Sequence, residues 1–292
     1  MCYLFPGQGS QEVGMGSDLF GDFPEWVEQA NQTLGYSITE LCLKDPENRL
    51  NQTKYTQPAL YTVSALAYLK KIEEGEAAPD FVAGHSLGEY TALFAAGAFD
   101  FQTGLQLVKK RAELMSECSG GGMAAVIGMD VDAIKEVLLN PDNNLEAIDV
   151  ANYNEPTQTV ISGPVQTIQG AKEIFKSAGC KLYIPLKVSG AFHSRSMLSV
   201  QEKFAEFLED FEFSELKIPV ISNVEAEPHQ SETIKGLLTR QLSHSVRWTE
   251  SMFYLIDLGV GNFEEVGPGQ VLTKLLAKIQ KAKSKVKVEQ NN

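Results

Sequence analysis

The apolar run Phe81-Val82-Ala83 leads into Gly84-His85-Ser86-Leu87-Gly88, and residues 89–96 that follow are rich in alanine, leucine and phenylalanine. A buried strand that turns sharply into a helix accounts for this pattern, with glycines flanking the serine because the backbone is tight there. Ser86 then stands exposed at a helix N-terminus, where the dipole favours developing negative charge. The residues predict a serine nucleophile on a strand–turn–helix elbow, and with it an α/β fold.

A serine hydroxyl attacks only when a base takes its proton. His85 is adjacent to Ser86, so its side chain points away across the turn. His229 lies in a proline-containing polar stretch that reads as surface loop. His193, in Val188-Ser189-Gly190-Ala191-Phe192-His193-Ser194, falls where an inserted unit ends and the main fold resumes, a natural cleft wall. It is the expected base, with His244 second by position. An oxyanion hole needs two backbone N–H donors. Leu87, the residue after the nucleophile, supplies one. Gln8, in the loop Pro6-Gly7-Gln8-Gly9-Ser10-Gln11 after the first strand, supplies the other. That loop lacks the lysine of a phosphate-binding loop.

Bulk properties narrow the partners. A net charge of −13 argues against nucleic acid, which needs a basic footprint. The exception is a tail carrying Lys274, Lys278, Lys281, Lys283, Lys285 and Lys287, read as a solvated helix end. No segment approaches the long apolar run of a membrane span. The N-terminus reads as a strand and not as a signal peptide. Cys2, Cys42, Cys118 and Cys180 are scattered, and the histidines do not cluster, so free thiols in a cytoplasmic protein are expected and no metal site.

Helical spacing runs over residues 24–43 and again over 59–72, where Pro58 suits a first-turn position. A further amphipathic helix covers residues 101–115. After Gly120-Gly121-Gly122 the texture changes to strand 124–127, helix 131–139, strands 147–151 and 159–162, helix 165–178 and strand 181–186. That β-α-β-β-α-β order is the ferredoxin-like unit. Strands at 218–222 and 262–266 and a helix from Val271 complete the chain. The expected architecture is α/β: an α/β-hydrolase-like large subdomain with a parallel-sheet core, residues 1–121 and 189–292, interrupted by a ferredoxin-like small subdomain, residues 122–188.

Taken together, Phe5-Pro6-Gly7-Gln8-Gly9-Ser10-Gln11, Thr56-Gln57-Pro58-Ala59-Leu60, Gly84 to Tyr90, Arg111, Ala191-Phe192-His193-Ser194 and Glu265-Val266-Gly267-Pro268-Gly269 resemble, in order and over nearly the whole chain, the malonyl-CoA:acyl carrier protein transacylases. The nearest likeness is to free-standing acyltransferases serving polyketide synthases that lack their own. The resemblance implies a ping-pong reaction. Ser86 takes malonyl from malonyl-CoA, and the phosphopantetheine thiol of a holo acyl carrier protein accepts it, with no permanently bound cofactor. It implies that His193 is held by the backbone carbonyl of Gln241, that Arg111 binds the malonyl carboxylate, and that Gln57 and Asn154 lie near the acyl pocket. Without the match, Arg111 beside Lys109 and Lys110 reads as a solvated helix arginine. Phe192 matches the malonyl-type pattern, in which a ring crowds an α-branch; methylmalonyl-type relatives carry a small residue there. A monomer is the expectation.

Two other readings share parts of this pattern. A serine esterase or carrier-clearing acyl hydrolase would use the elbow and histidine, but has no use for a buried guanidinium and commonly supplies an acidic third partner. A non-catalytic docking scaffold would not need Ser86, His193 and Arg111 intact.

Overall fold

The computed structural model describes residues 1–290, with side chains described through residue 285; the Lys287 side chain lies outside the described residues. The chain opens with strand β1 (Cys2–Phe5), whose residues alternate between two cores. Tyr3 and Phe5 face a large cluster shared with the first helices, and Cys2 and Leu4 face a second cluster built by the C-terminal helices. Burial on both faces is the property of a central parallel strand, and it is why this short run is continuously apolar.

Helices α1 (Pro24–Leu34) and α2 (Ile38–Leu43) divide the stretch expected to be one helix. Gly35 ends α1 in a left-handed conformation, and the Ser37 side chain caps α2 by accepting from the Glu40 N–H. Helix α3 (Thr53–Glu73) begins before Pro58 and carries it in its interior. The first-turn expectation for Pro58 is thus corrected. The proline sits at the sixth position of a helix of 21 residues, where long-range packing of a fully buried face outweighs one missing N–H. Strand β2 (Phe81–Gly84), helix α4 (Gly88–Ala95) and helix α5 (Phe101–Ser116) follow.

The inserted unit runs β3 (Gly121–Ile127), α6 (Val131–Leu139), β4 (Asp149–Glu155), β5 (Gln158–Pro164), α7 (Val165–Ser177) and β6 (Leu182–Pro185). Its strands form one antiparallel sheet in the order β4-β5-β3-β6, the ferredoxin-like arrangement, over a core of its own. Strand β4 reaches four residues beyond its expected end at Ala151, carried through polar Asn152 and Asn154 with two register shifts. Asn154 turns to His85 and Asn152 to the cavity over Ser86, which is why alternation alone hid them.

The large sheet is completed by later elements: α8 (Leu198–Leu208), β7 (Val220–Ile221), α9 (Ile234–Gln241), α10 (Trp248–Asp257), β8 (Phe263–Glu265) and α11 (Val271–Gln290). Its order is β7-β2-β1-β8, with every neighbouring pair parallel. The carboxyl ends of β1 and β2 lie side by side at the centre, so the loops after them meet, the usual location of a site in an open parallel sheet. No described helix is long and apolar enough to cross a membrane.

Candidate active site

The elbow explains its own glycines. A Cβ on Gly84 would stand 1.9 Å from the Gly88 carbonyl carbon, and one on Gly88 would stand 2.0 Å from the Phe5 carbonyl oxygen. Ser86 adopts a φ of +51°, a left-handed conformation that a non-glycine residue holds only under constraint. The constraint is Asn223, just after β7. Its Oδ1 accepts from the Ser86 N–H at 2.6 Å, and its Nδ2 donates to the Gly84 carbonyl at 2.7 Å.

His193 also has positive φ, +57°, and is buried. Its Nε2 lies 2.8 Å from Ser86 Oγ and its Nδ1 lies 2.7 Å from the Gln241 carbonyl oxygen. A carbonyl only accepts, so Nδ1 carries the proton and Nε2 is left free to take the serine's. Burial, followed by the nearby Arg111 cation, pushes the imidazole down to about 3, so it rests neutral and ready as a base.

Arg111, on α5, is not a solvated surface arginine: it is wholly buried. Its Nη1 donates to Gln57 Oε1 at 2.7 Å, and its Nη2 donates to Ser86 Oγ at 3.0 Å and to Gln241 Oε1 at 2.9 Å. The guanidinium also lies over the Tyr90 ring, 5.5 Å from its centroid. Burial disfavours the cation, but arginine does not deprotonate in proteins, so a positive charge is kept against the nucleophile in a nearly dry site.

A small cavity of about 90 Å³ lies over Ser86. Gln8, Leu87, Gln57, Arg111, Phe192 and His193 all line it, joined by Met115, Met123, Leu186, Val188 and Asn152. Among the described residues no acceptor takes the Gln8 or Leu87 backbone N–H, which leaves both donors available beside the serine. His193 also borders a far larger cleft of about 640 Å³ with Tyr153, Arg195 and His244. The histidine therefore borders both a small chamber and a wide cleft.

Asn154 stands one side chain back from the chamber: its Oδ1 holds His85 Nε2 at 2.8 Å, and His85 and Asn152 line the wall. His85 itself is half-buried, its ring edge-on to Trp248, with its imidazole pushed down by desolvation. His229 is not at the surface. Its side chain is fully buried, with Nε2 2.6 Å from Glu89 Oε1. A polar local sequence misled there, because the partner that draws the ring inside sits in α4, far away in the chain. His244, the second-choice base, contacts Ser243 and the Arg240 carbonyl, not Ser86.

Asn223 and Glu89 carry little signal in the sequence as functional positions. The only signal for Glu89 was its place directly after the elbow glycine, and Asn223 follows a strand of just two residues.

Comparison with known proteins shows the family of the chain. The family described as acyl transferase domain matches residues 2–291. The polyketide biosynthesis malonyl CoA-acyl carrier protein transacylase BaeC of Bacillus velezensis is 54% identical over 281 residues, covering 96% of each chain. The crystal structure of a malonyl CoA-acyl carrier protein transacylase from Burkholderia pseudomallei superposes with a TM-score of 0.92 at 45% identity, over 96% of this chain and 97% of that one. A second solved structure, of a type II polyketide synthase acyl-carrier protein in complex with its malonyl-transacylase, matches with a TM-score of 0.90 at 39% identity, over 95% and 92% of the two chains.

Proposed function

The chain belongs to the acyl transferase domain family, and from that premise we propose that it moves malonyl from malonyl-CoA to the phosphopantetheine thiol of an acyl carrier protein, in the service of a polyketide synthase. The malonyl transacylase names and the polyketide association of the similar proteins support the substrate and the pathway. The observation that carries the reading is Arg111, a buried guanidinium within hydrogen-bond reach of the nucleophile. A neutral acyl group has no use for it, whereas a malonyl carboxylate does.

In the first half-reaction Ser86 Oγ attacks the thioester carbon while His193 Nε2 takes its proton. The Gln8 and Leu87 N–H groups meet the oxyanion. The C–S bond then breaks, and the imidazolium returns its proton to the departing coenzyme A sulfur. The second half-reaction runs the same steps in reverse order with the carrier thiol as nucleophile, and Ser86 recovers its proton. Arg111 shifts one N–H from Ser86 Oγ to the malonyl carboxylate when the acyl group is in place. Gln57 keeps the other arm of the guanidinium fixed. Phe192 narrows the chamber around the α-carbon. The protein acts as a monomer in the cytoplasm, and its four cysteines, all free thiols, fit a reducing compartment.

The test is intact-mass detection of the acyl-enzyme with malonyl-CoA and acetyl-CoA, followed by a chase with holo carrier protein. Wild type is expected to gain one malonyl group and lose it to the carrier, and Ser86→Ala to gain none. Arg111→Ala is expected to lose about 10–100-fold in malonylation while acetylation changes little, since a buried charge-assisted hydrogen bond is removed. Equal effects on both acyl groups would overturn the clamp. Release of malonate to water faster than to the carrier would make the protein a hydrolase.

A further inference from the structure

Glu89 is a fully buried carboxylate that the steps above do not use. Such a group is costly unless its oxygens are filled. Here they are. Oε1 accepts from His229 Nε2 at 2.6 Å, and Oε2 accepts from Gln241 Nε2 at 2.5 Å and from the Asn223 N–H at 3.3 Å. The other hydrogen of Gln241 Nε2 goes to the Ser86 carbonyl at 2.9 Å. Both donors of the Gln241 amide are thereby committed on one side.

The consequence falls on Arg111. A glutamine side chain can present either end of its amide to a neighbour. With its NH2 held by Glu89 and Ser86, Gln241 must turn Oε1 toward Arg111, where it accepts from Nη2 at 2.9 Å. Reversal would set an NH2 against a guanidinium, two donors with no acceptor. His229 in turn holds Glu89 from the far side. It is fixed by its own backbone, whose N–H donates to the Val220 carbonyl at 2.8 Å in the strand beside the elbow. A chain of contacts runs from His229 through Glu89 and Gln241 to the guanidinium.

Resting on the clamp reading above, we propose that Glu89 and His229 are a positioning pair that sets the direction of the Gln241 amide and so aims Arg111, making the pair a determinant of selectivity for carboxylate-bearing over neutral acyl groups. Neither residue touches the acyl group. A purely structural pair would lower transfer of all acyl groups alike, because its loss would loosen the elbow through Asn223. A positioning pair lowers malonyl transfer preferentially, and only while Arg111 is present.

The experiment measures kcat/KM for acyl-enzyme formation from malonyl-CoA and from acetyl-CoA in His229→Leu and His229→Gln, each made in wild type and in Arg111→Ala. His229→Leu is expected to lower the malonyl-to-acetyl ratio about tenfold, the scale of coupling between members of one hydrogen-bond network. His229→Gln keeps a donor near the Nε2 position and is expected to restore the ratio to within about threefold of wild type. In the Arg111→Ala background His229→Leu is expected to leave the ratio unchanged. Should His229→Leu fail to fold, Glu89→Asp keeps the charge but withdraws the oxygens from Gln241, and the ratio is again expected to fall. Equal losses for both acyl groups, or a ratio effect that persists without Arg111, would overturn the proposal. If Arg111→Ala alone leaves the ratio unchanged, the failure lies in the clamp itself, and the positioning proposal falls with it.

Discussion

Replacement of Phe192 by serine tests how the chamber chooses its acyl group. The ring is 4% exposed and forms one wall of a cavity of only about 90 Å³, with Met115, Met123 and Val188 contributing others. It cannot retreat toward Gly190, where even an added Cβ would come 2.6 Å from the ring edge. An α-methyl on the acyl group therefore meets a wall that does not yield. One misfitted methyl is worth about 1–3 kcal/mol, or roughly 10–200-fold in discrimination. The serine variant should accordingly lose at least about tenfold of its preference for malonyl-CoA over methylmalonyl-CoA. The structural cost is that of emptying a large core residue, about 3 kcal/mol at the low end of the range because one side already borders a void. For a chain of this size that lowers the melting temperature by roughly 5 °C. The assay is competitive acylation with equimolar malonyl- and methylmalonyl-CoA, read by intact mass, alongside a thermal melt. A folded variant with an unchanged ratio would show that the ring does not face the α-carbon, and the steric argument would fail.

Three further outcomes follow from the site. Because His193 sits at about 3, malonylation should hold its rate from pH 8 down to about 5, with no acid limb near the ordinary histidine range; Arg111→Ala removes a cation beside the ring, so the histidine should rise and an acid limb should move up with it. The same group makes stability fall with acid. Above pH 6.5 it contributes no pH dependence, and between 6.5 and about 3 the unfolded chain binds a proton that the native state refuses, costing up to about 1.4 kcal/mol per pH unit in urea titrations. Asn223→Ala should strip partners from the buried Gly84 carbonyl and the part-buried Ser86 N–H, destabilising by about 1–3 kcal/mol through the first and less through the second, and should slow malonylation at least about tenfold as Ser86 loses the bond that holds its positive φ. Denaturant melts and acylation rates read the two effects separately.

Much of this site was legible because its strongest signals are local. Ser86 is announced by flanking glycines that no other residue can replace sterically, and β1 by an unbroken apolar run that only a doubly buried strand needs. The small subdomain was legible because its strands and helices alternate at their own periods. What failed to show depends on contacts between distant segments. His229 sits 140 residues from Glu89, and nothing in Glu-Pro-His-Gln announces that a buried carboxylate awaits it. Asn152 and Asn154 interrupt the alternation of β4 because they serve the elbow region, so the strand read short. Pro58 looked like a helix start because propensity is local, whereas the position of α3 is set by the face it buries.

The arrangement also explains why a neutral carbonyl, not a carboxylate, orients the catalytic histidine. On the proposed clamp role, Arg111 must keep enough positive field to attract a malonyl carboxylate. A carboxylate at the Gln241 carbonyl position would stand beside both His193 and the guanidinium and would compete for the cation in the resting state. It would also raise the histidine from its low value and favour the imidazolium before any substrate arrives. The protein instead keeps its nearby negative charge, Glu89, one amide away. Gln241 donates to that carboxylate and accepts from Arg111, so the guanidinium is oriented without being paired by direct contact. On the proposed clamp role, a substrate carboxylate would meet Arg111 on the side of Ser86, where Nη2 already reaches Ser86 Oγ.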